Sequence, residues 1–218
     1  MNFYNFNTNE ISEIKTLIFD FDGTLYSSKN MKLFYHNYIK QSLMDLGAYS
    51  CEKADKIITD FGFDADGDNR ISFRNNCEKF GIKREEWDVY KIDHFFQIDY
   101  NDAETVDNNI YKALHKKYKM FIVSHEVIDN LIYKSNKMKI DLSAFDRIFA
   151  PDRSNVLTYK KKAFIYDDIK ADYGISYRNM VVFGDRYKVD ILPLTERGGK
   201  GVLVNDTAEL TNVLKMLI

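Results

Sequence analysis

The sequence predicts an α/β protein, a parallel sheet flanked by helices, with a small α-helical domain inserted after the first strand. Three observations carry this. Short apolar runs recur along the chain, "TLIF" (16–19), "MFIV" (120–123), "MVVF" (180–183) and "GVLV" (201–204), as expected of strands covered on both faces. Helical patterns lie between the later runs, and strands alternating with helices build parallel sheets. The first two runs are about a hundred residues apart, far beyond an ordinary crossover.

In chain order, "MNFYNFNTNE" lacks the basic region and apolar core of a signal peptide. "TLIF" is the first strand. From about 28 to 101 no buried-strand pattern occurs, and four stretches read as helical: "MKLFYHNYIKQSLMDLG", "SCEKADKIITDFGF", "ISFRNNCEKFG" and "REEWDVYKIDHFFQI". The expected domains are therefore a core of 1–27 and 102–218 and a helical insertion of 28–101. "ETVDNNIYKALHKKY" (104–118) predicts a helix leading into "MFIV", and "RIFA" (147–150) a companion strand. "KKAFIYDDIKADYG" (161–174) predicts a helix stopped by Gly174. "TAELTNVLKML" predicts a terminal helix capped by Thr207.

Composition narrows the function classes. A hydrophobic fraction of 45% supports a packed core rather than a disordered chain. A net charge of −2 leaves no global basic footprint for a nucleic acid polymer. Cys51 and Cys77 are too few for a disulfide framework and lack metal-ligand spacing, which suits a cytoplasmic protein. No apolar run approaches the roughly 18 residues of a membrane span.

The chemistry follows the strands. "TLIF" leads into Asp20 and Asp22, "MFIV" into Ser124, and "MVVF" into Gly184 and Asp185, with Asp190 beyond. Open parallel sheets bind ligands outside the carboxyl ends of their strands, so these three distant segments converge on one edge. Carboxylates gathered together resist ionisation unless a cation sits among them. Mg²⁺ suits such hard oxygen ligands and commonly accompanies phosphate chemistry. A carboxylate can attack phosphorus, and a second acid can protonate the leaving oxygen and then activate water. The transferring group needs donors and positive charge, for which Ser124 and one lysine of "KKK" (160–162) are the candidates.

"DFDGTL" (20–25), "MFIVS" (120–124), a lysine near 160 and "GDRYKVD" (184–190) resemble, in order, the four motifs of the haloacid dehalogenase-like hydrolase superfamily. The resemblance covers roughly 14–25 and 104–206. It implies a Rossmann-like core, with Asp20 as nucleophile and metal ligand, and Asp22 as general acid/base ligating through its backbone carbonyl. It further implies Ser124, with Gly23 and Thr24, at the substrate's phosphoryl group, and Asp185 and Asp190 at Mg²⁺. Lys160 is the family-spaced lysine, with Lys161 its rival; the proline that commonly follows is absent. Arg186 stands where a small hydroxyl residue is frequent. Asp22 in place of an apolar residue resembles the phosphatase branch rather than true dehalogenases. The insertion sits where the family carries helical caps, which close over the site and select substrate. The implied protein is a Mg²⁺-dependent phosphomonoester hydrolase acting through an aspartyl-phosphate. Its substrate would be a small phosphorylated metabolite, such as a nucleoside monophosphate or sugar phosphate, and its state monomer or homodimer. A phosphomutase, or a non-catalytic binding or regulatory protein retaining the fold, are the alternatives.

Other features have plainer readings. "DADGDNRISFRN" (64–75) has the Asp spacing of a calcium loop through Asp64, Asp66 and Asp68. Its sixth and twelfth positions are Asn69 and Asn75 where Gly and a bidentate Glu are needed, so a solvated turn is expected. His125 reads as a packing or hydrogen-bonding residue, and Trp87, Phe95 and Phe96 as core of the insertion. His36, Arg70 and Arg74 are candidates to face substrate.

Overall fold

The computed structural model describes residues 1–6, 8–63, 65, 69–94, 98–152 and 162–218. The chain divides into two compact units, Met1–Ser27 with Ala103–Ile218, and Ser28–Asp102.

The first unit is an α/β fold around a six-stranded sheet. Its strands are β1 (Asn2–Tyr4), β2 (Thr16–Phe19), β5 (Lys119–Val123), β6 (Arg147–Phe149), β7 (Met180–Gly184) and β8 (Lys200–Leu203), in spatial order β1-β8-β7-β2-β5-β6. All neighbours run parallel except β1, which pairs antiparallel with β8. Two further strands, β3 (Tyr26–Ser27) and β4 (Glu104–Thr105), form a separate two-stranded ribbon. Helices α4 (Asn108–His115), α5 (Ile128–Met138), α6 (Lys162–Tyr173), α7 (Leu192–Thr195) and α8 (Thr207–Lys215) belong to the same unit.

The four apolar runs are strands because both sheet faces are covered. Leu17, Ile18 and Phe19 of β2 are all fully buried. On one face Ile18, Phe121 and Val182 pack with Ile165, Tyr166 and Ile169 of α6. On the other, Phe19 stacks on Phe183 with ring centroids 5.0 Å apart, and meets Tyr111 of α4 and Phe145 edge-on. Such alternation is what a pleated strand imposes.

Three local expectations are corrected. The helix expected from 104 begins at Asn108, because the Asp107 side chain accepts from the Asn109 amide and caps it there; Glu104 and Thr105 pair with β3 instead. The last helix is capped by Asp206, whose carboxylate accepts from the Glu209 amide at 2.8 Å, and Thr207 is its first residue. The stretch 71–81 is turns and one short 3₁₀ turn, Cys77–Phe80, rather than a helix. Gly174, at φ 64°, follows the end of α6 as expected.

The second unit holds α1 (Lys29–Asp45), α2 (Cys51–Phe61) and α3 (Arg84–His94). Its core is aromatic: Phe63, Phe73, Phe80 and Trp87 pack with Tyr38, Ile39 and Ile58. Its two ends are tied together, since the Asp102 carboxylate accepts from the amides of Lys29 and Asn30 and from the Ser28 hydroxyl. Asp102 thus caps α1 beside Ser28, which accepts from Met31 N. Phe95, Phe96, Asp64, Asp66 and Asp68 lie outside the described residues.

Candidate active site

Asp20 stands at the switch point of the sheet. The chain runs from β2 outwards through β5 and β6 on one side, then returns to β7 and β8 on the other. Phe19 is level with Ile122 and Phe183. The residues that follow, Asp20, Ser124 and Asp185, therefore leave the sheet at the same carboxyl edge, where open α/β sheets bind ligands. Asp20 is anchored by its amide, which donates to Phe183 O at 2.9 Å.

Asp20, Asp185 and Asp190 each bring a carboxylate oxygen within 4.8 Å of the others. Asp190 reaches the group from a π-helical turn, Tyr187–Ile191, that begins beyond β7 after Asp185 and Arg186. It is fully buried, and its Oδ2 accepts from the Arg186 amide at 2.9 Å. Two glycines let these groups come so close. A Cβ on Gly23, whose φ is 82°, would lie 2.6 Å from Asp185 Oδ2; one on Gly184 would lie 2.3 Å from Asp190 Cβ. Hard, all-oxygen donors in this number suit Mg²⁺ with several waters retained.

Arg186 lines this group of acids. Its Nε is 3.9 Å from Asp185 Oδ1. Burial alone would lower the guanidinium pKa, but the fields of Asp190, Asp20, Asp185 and Asp22 outweigh it and hold it above its usual value. Among the described residues, the one Arg186 guanidinium beside Asp20, Asp185 and Asp190 leaves negative charge in excess, which a divalent cation would neutralise.

Asp22 is placed differently. Its side chain is outside the three-carboxylate group and is bonded instead to Lys134 Nζ at 2.5 Å and to the Tyr26 hydroxyl. Ser124 is buried, its amide donates to Phe149 O, and its Oγ accepts from the Glu126 amide at 3.0 Å. As an acceptor in that bond, the hydroxyl keeps its own proton to donate. Thr24 is fully buried, and its Oγ1 has no partner among the described residues. Lys160 and its rival Lys161 lie outside the described residues.

The candidates named in the insertion have structural partners of their own. Arg74 makes a two-pronged bond to Asp88, 2.8 Å on each arm. Arg70 lies over the Tyr35 ring and His36 is 3.7 Å from Asp55. Trp87 is in the aromatic core, and His125 is exposed. Sequence reasoning missed Tyr26, Glu126 and Lys134. Asn130 and Lys134 share one face of α5, but Glu126 precedes that helix and nothing local in the sequence marks Asp22 as the partner of Lys134.

The haloacid dehalogenase-like hydrolase family model matches residues 14–196. The chain belongs to that family. No curated protein matches it. Among solved structures, a candidate phosphatase from Clostridium difficile superposes with a TM-score of 0.61 at 17% identity, covering 94% of this chain and 99% of that one. A haloacid dehalogenase-like family hydrolase from Streptococcus pneumoniae gives 0.57 at 17% identity, covering 92% and 91%. A phosphatase of this family from Thermococcus onnurineus gives 0.56 at 18% identity, covering 92% and 98%. At such identities the likeness is one of fold. Among the described residues, no helix is long and apolar enough to cross a membrane.

Proposed function

We propose that this hydrolase is a Mg²⁺-dependent phosphatase that removes the phosphoryl group of a small phosphorylated metabolite through an aspartyl-phosphate. The observation that carries the reading is the meeting of Asp20, Asp185 and Asp190 at one sheet edge, with their oxygens within 4.8 Å. The phosphatases among its structural neighbours support it.

In this reading Asp20, Asp185 and Asp190 hold the cation, together with the Asp22 carbonyl. Mg²⁺, when bound there, supplies positive charge against the phosphoryl oxygens. The Asp20 carboxylate attacks phosphorus as the ester P–O bond breaks, and Asp22 gives its proton to the departing alkoxide. Ser124 donates its hydroxyl proton to a phosphoryl oxygen, and Lys160 adds charge there. Asp22, now a carboxylate, takes a proton from water as that water attacks the aspartyl-phosphate, which frees phosphate and restores both acids. Residues 28–101 act as the cap that selects substrate, and a nucleoside monophosphate or sugar phosphate is the class favoured.

The test is phosphate release from p-nitrophenyl phosphate and a panel of nucleoside monophosphates and sugar phosphates, with Mg²⁺, with EDTA, and with Asp20→Asn. Metal-dependent turnover that the substitution abolishes is the expected result. Turnover unchanged by EDTA or by Asp20→Asn would overturn the reading.

A further inference from the structure

Lys134 has an unusual setting for a lysine. It lies on α5 with its side chain wholly buried, and it pairs with Glu126 Oε2 at 3.0 Å and with Asp22 Oδ1 at 2.5 Å. The Glu126 side chain is also buried, and its Oε1 accepts from Val127 N and Asn130 Nδ2. The Glu126 amide in turn donates to Ser124 Oγ. A buried ion pair is a poor way to fill a core, since apolar residues of similar volume serve stability as well or better. The pair points at Asp22, which is itself partly exposed. The Tyr26 hydroxyl donates to the same Oδ1, and among the described residues no donor is bonded to Oδ2.

We propose that Lys134, seated on Glu126 and seconded by Tyr26, is a positioning residue that fixes Asp22 by its Oδ1 so that Oδ2 alone carries the catalytic proton. This rests on the phosphatase reading and adds to it the choice of oxygen and the groups that make the choice. In the first half-reaction the Oδ2–H bond breaks as the leaving alkoxide gains that proton, while the ester P–O bond breaks and the bond from Asp20 to phosphorus forms. In the second, a water O–H bond breaks to restore Oδ2–H, water oxygen bonds to phosphorus, and the bond to Asp20 breaks. Lys134 keeps its protons throughout. Buried behind Asp22, it touches neither substrate nor the reacting atoms.

The experiment compares kcat/KM for an alkyl phosphate, whose alkoxide must be protonated to leave, with that for p-nitrophenyl phosphate, whose phenolate leaves unaided. Each is measured for the wild type, Lys134→Met, Lys134→Arg, the pair Glu126→Gln/Lys134→Met, and Tyr26→Phe. A merely structural role would lower both substrates alike. The proposal expects Lys134→Met to lose about 30-fold or more on the alkyl ester and under about threefold on the aryl ester, with Lys134→Arg recovering most of the loss. The paired substitution removes both buried charges together, and Tyr26→Phe removes none, so each gives the same contrast should Lys134→Met fail to fold. Equal losses on both esters, or none on either, overturn the positioning role while leaving the phosphatase reading in place. A wild type without Mg²⁺-dependent turnover of either ester overturns that reading and the proposal with it.

Discussion

Replacing Gly23 by alanine separates the cost of backbone strain from the loss of a proposed metal ligand. Gly23, Gly174 and Gly198 all have left-handed backbones, at φ 82°, 64° and 85°. An alanine in that region costs about 1–2 kcal/mol at each. A Cβ at Gly174 or Gly198 meets nothing within 4 Å, whereas at Gly23 it meets Asp185 Oδ2 at 2.6 Å and Cγ at 3.0 Å. The Asp185 carboxylate is the far end of a side chain rather than backbone and can retreat cheaply, so the three variants lose similar stability. That retreat, roughly an ångström, exceeds what Mg²⁺ tolerates, since it demands near-ideal octahedral ligands about 2.1 Å away. Gly23→Ala alone is therefore expected to weaken Mg²⁺ binding at least about tenfold. Thermal unfolding measures the first quantity and titration calorimetry with Mg²⁺ the second. Wild-type Mg²⁺ affinity in Gly23→Ala, or equal losses in Gly174→Ala and Gly198→Ala, would refute the reasoning.

Three further outcomes are expected. Gly184→Ala places its Cβ 2.3 Å from Asp190 Cβ rather than from a mobile tip, so backbone must move and urea unfolding should show a loss of about 1–3 kcal/mol. Asp102→Ala removes the carboxylate that caps α1 and should cost about 1 kcal/mol. Burial tends to raise the Asp102 pKa, but bonds from Ser28, Asn30 and Lys29 bring it below the ordinary 3.8. Its contribution is thus complete above that value and fades as pH falls through the lower folded one, a loss that stability measured against pH should show in the wild type and not in the variant. Phe73→Ala, in the aromatic core of the second unit, should cost about 3–5 kcal/mol by denaturant titration.

How far the sequence revealed the protein depends on the separation of the contacts involved. β2, β5, β7 and β8 were legible because each carries a short apolar run, and the placing of Asp20, Ser124 and Asp185 at one sheet edge because they follow such runs. β1 was not, since three residues with two exposed side chains carry no pattern. β3 and β4 are two residues each and exist only by pairing with one another. The stretch 71–81 imitated a helix because Phe73, Cys77 and Phe80 recur at helical spacing. They are buried by a succession of turns ended by Gly81 at φ 76°. Lys134 was hidden for another reason. A charge on a helix usually faces water, and its partner Asp22 is 112 residues away. Only the folded sheet brings the two together.

The most direct test of the central claim is to find the phosphoryl group on the enzyme. Asp22→Asn should still accept it from p-nitrophenyl phosphate, which needs no acid, but should hydrolyse the intermediate slowly. Acid quenching after mixing this variant with substrate and Mg²⁺, followed by peptide mass spectrometry, is expected to locate one phosphoryl group on Asp20. Substrate cleavage with Asp20 unmodified, or with the phosphoryl group on Ser124, would contradict the account.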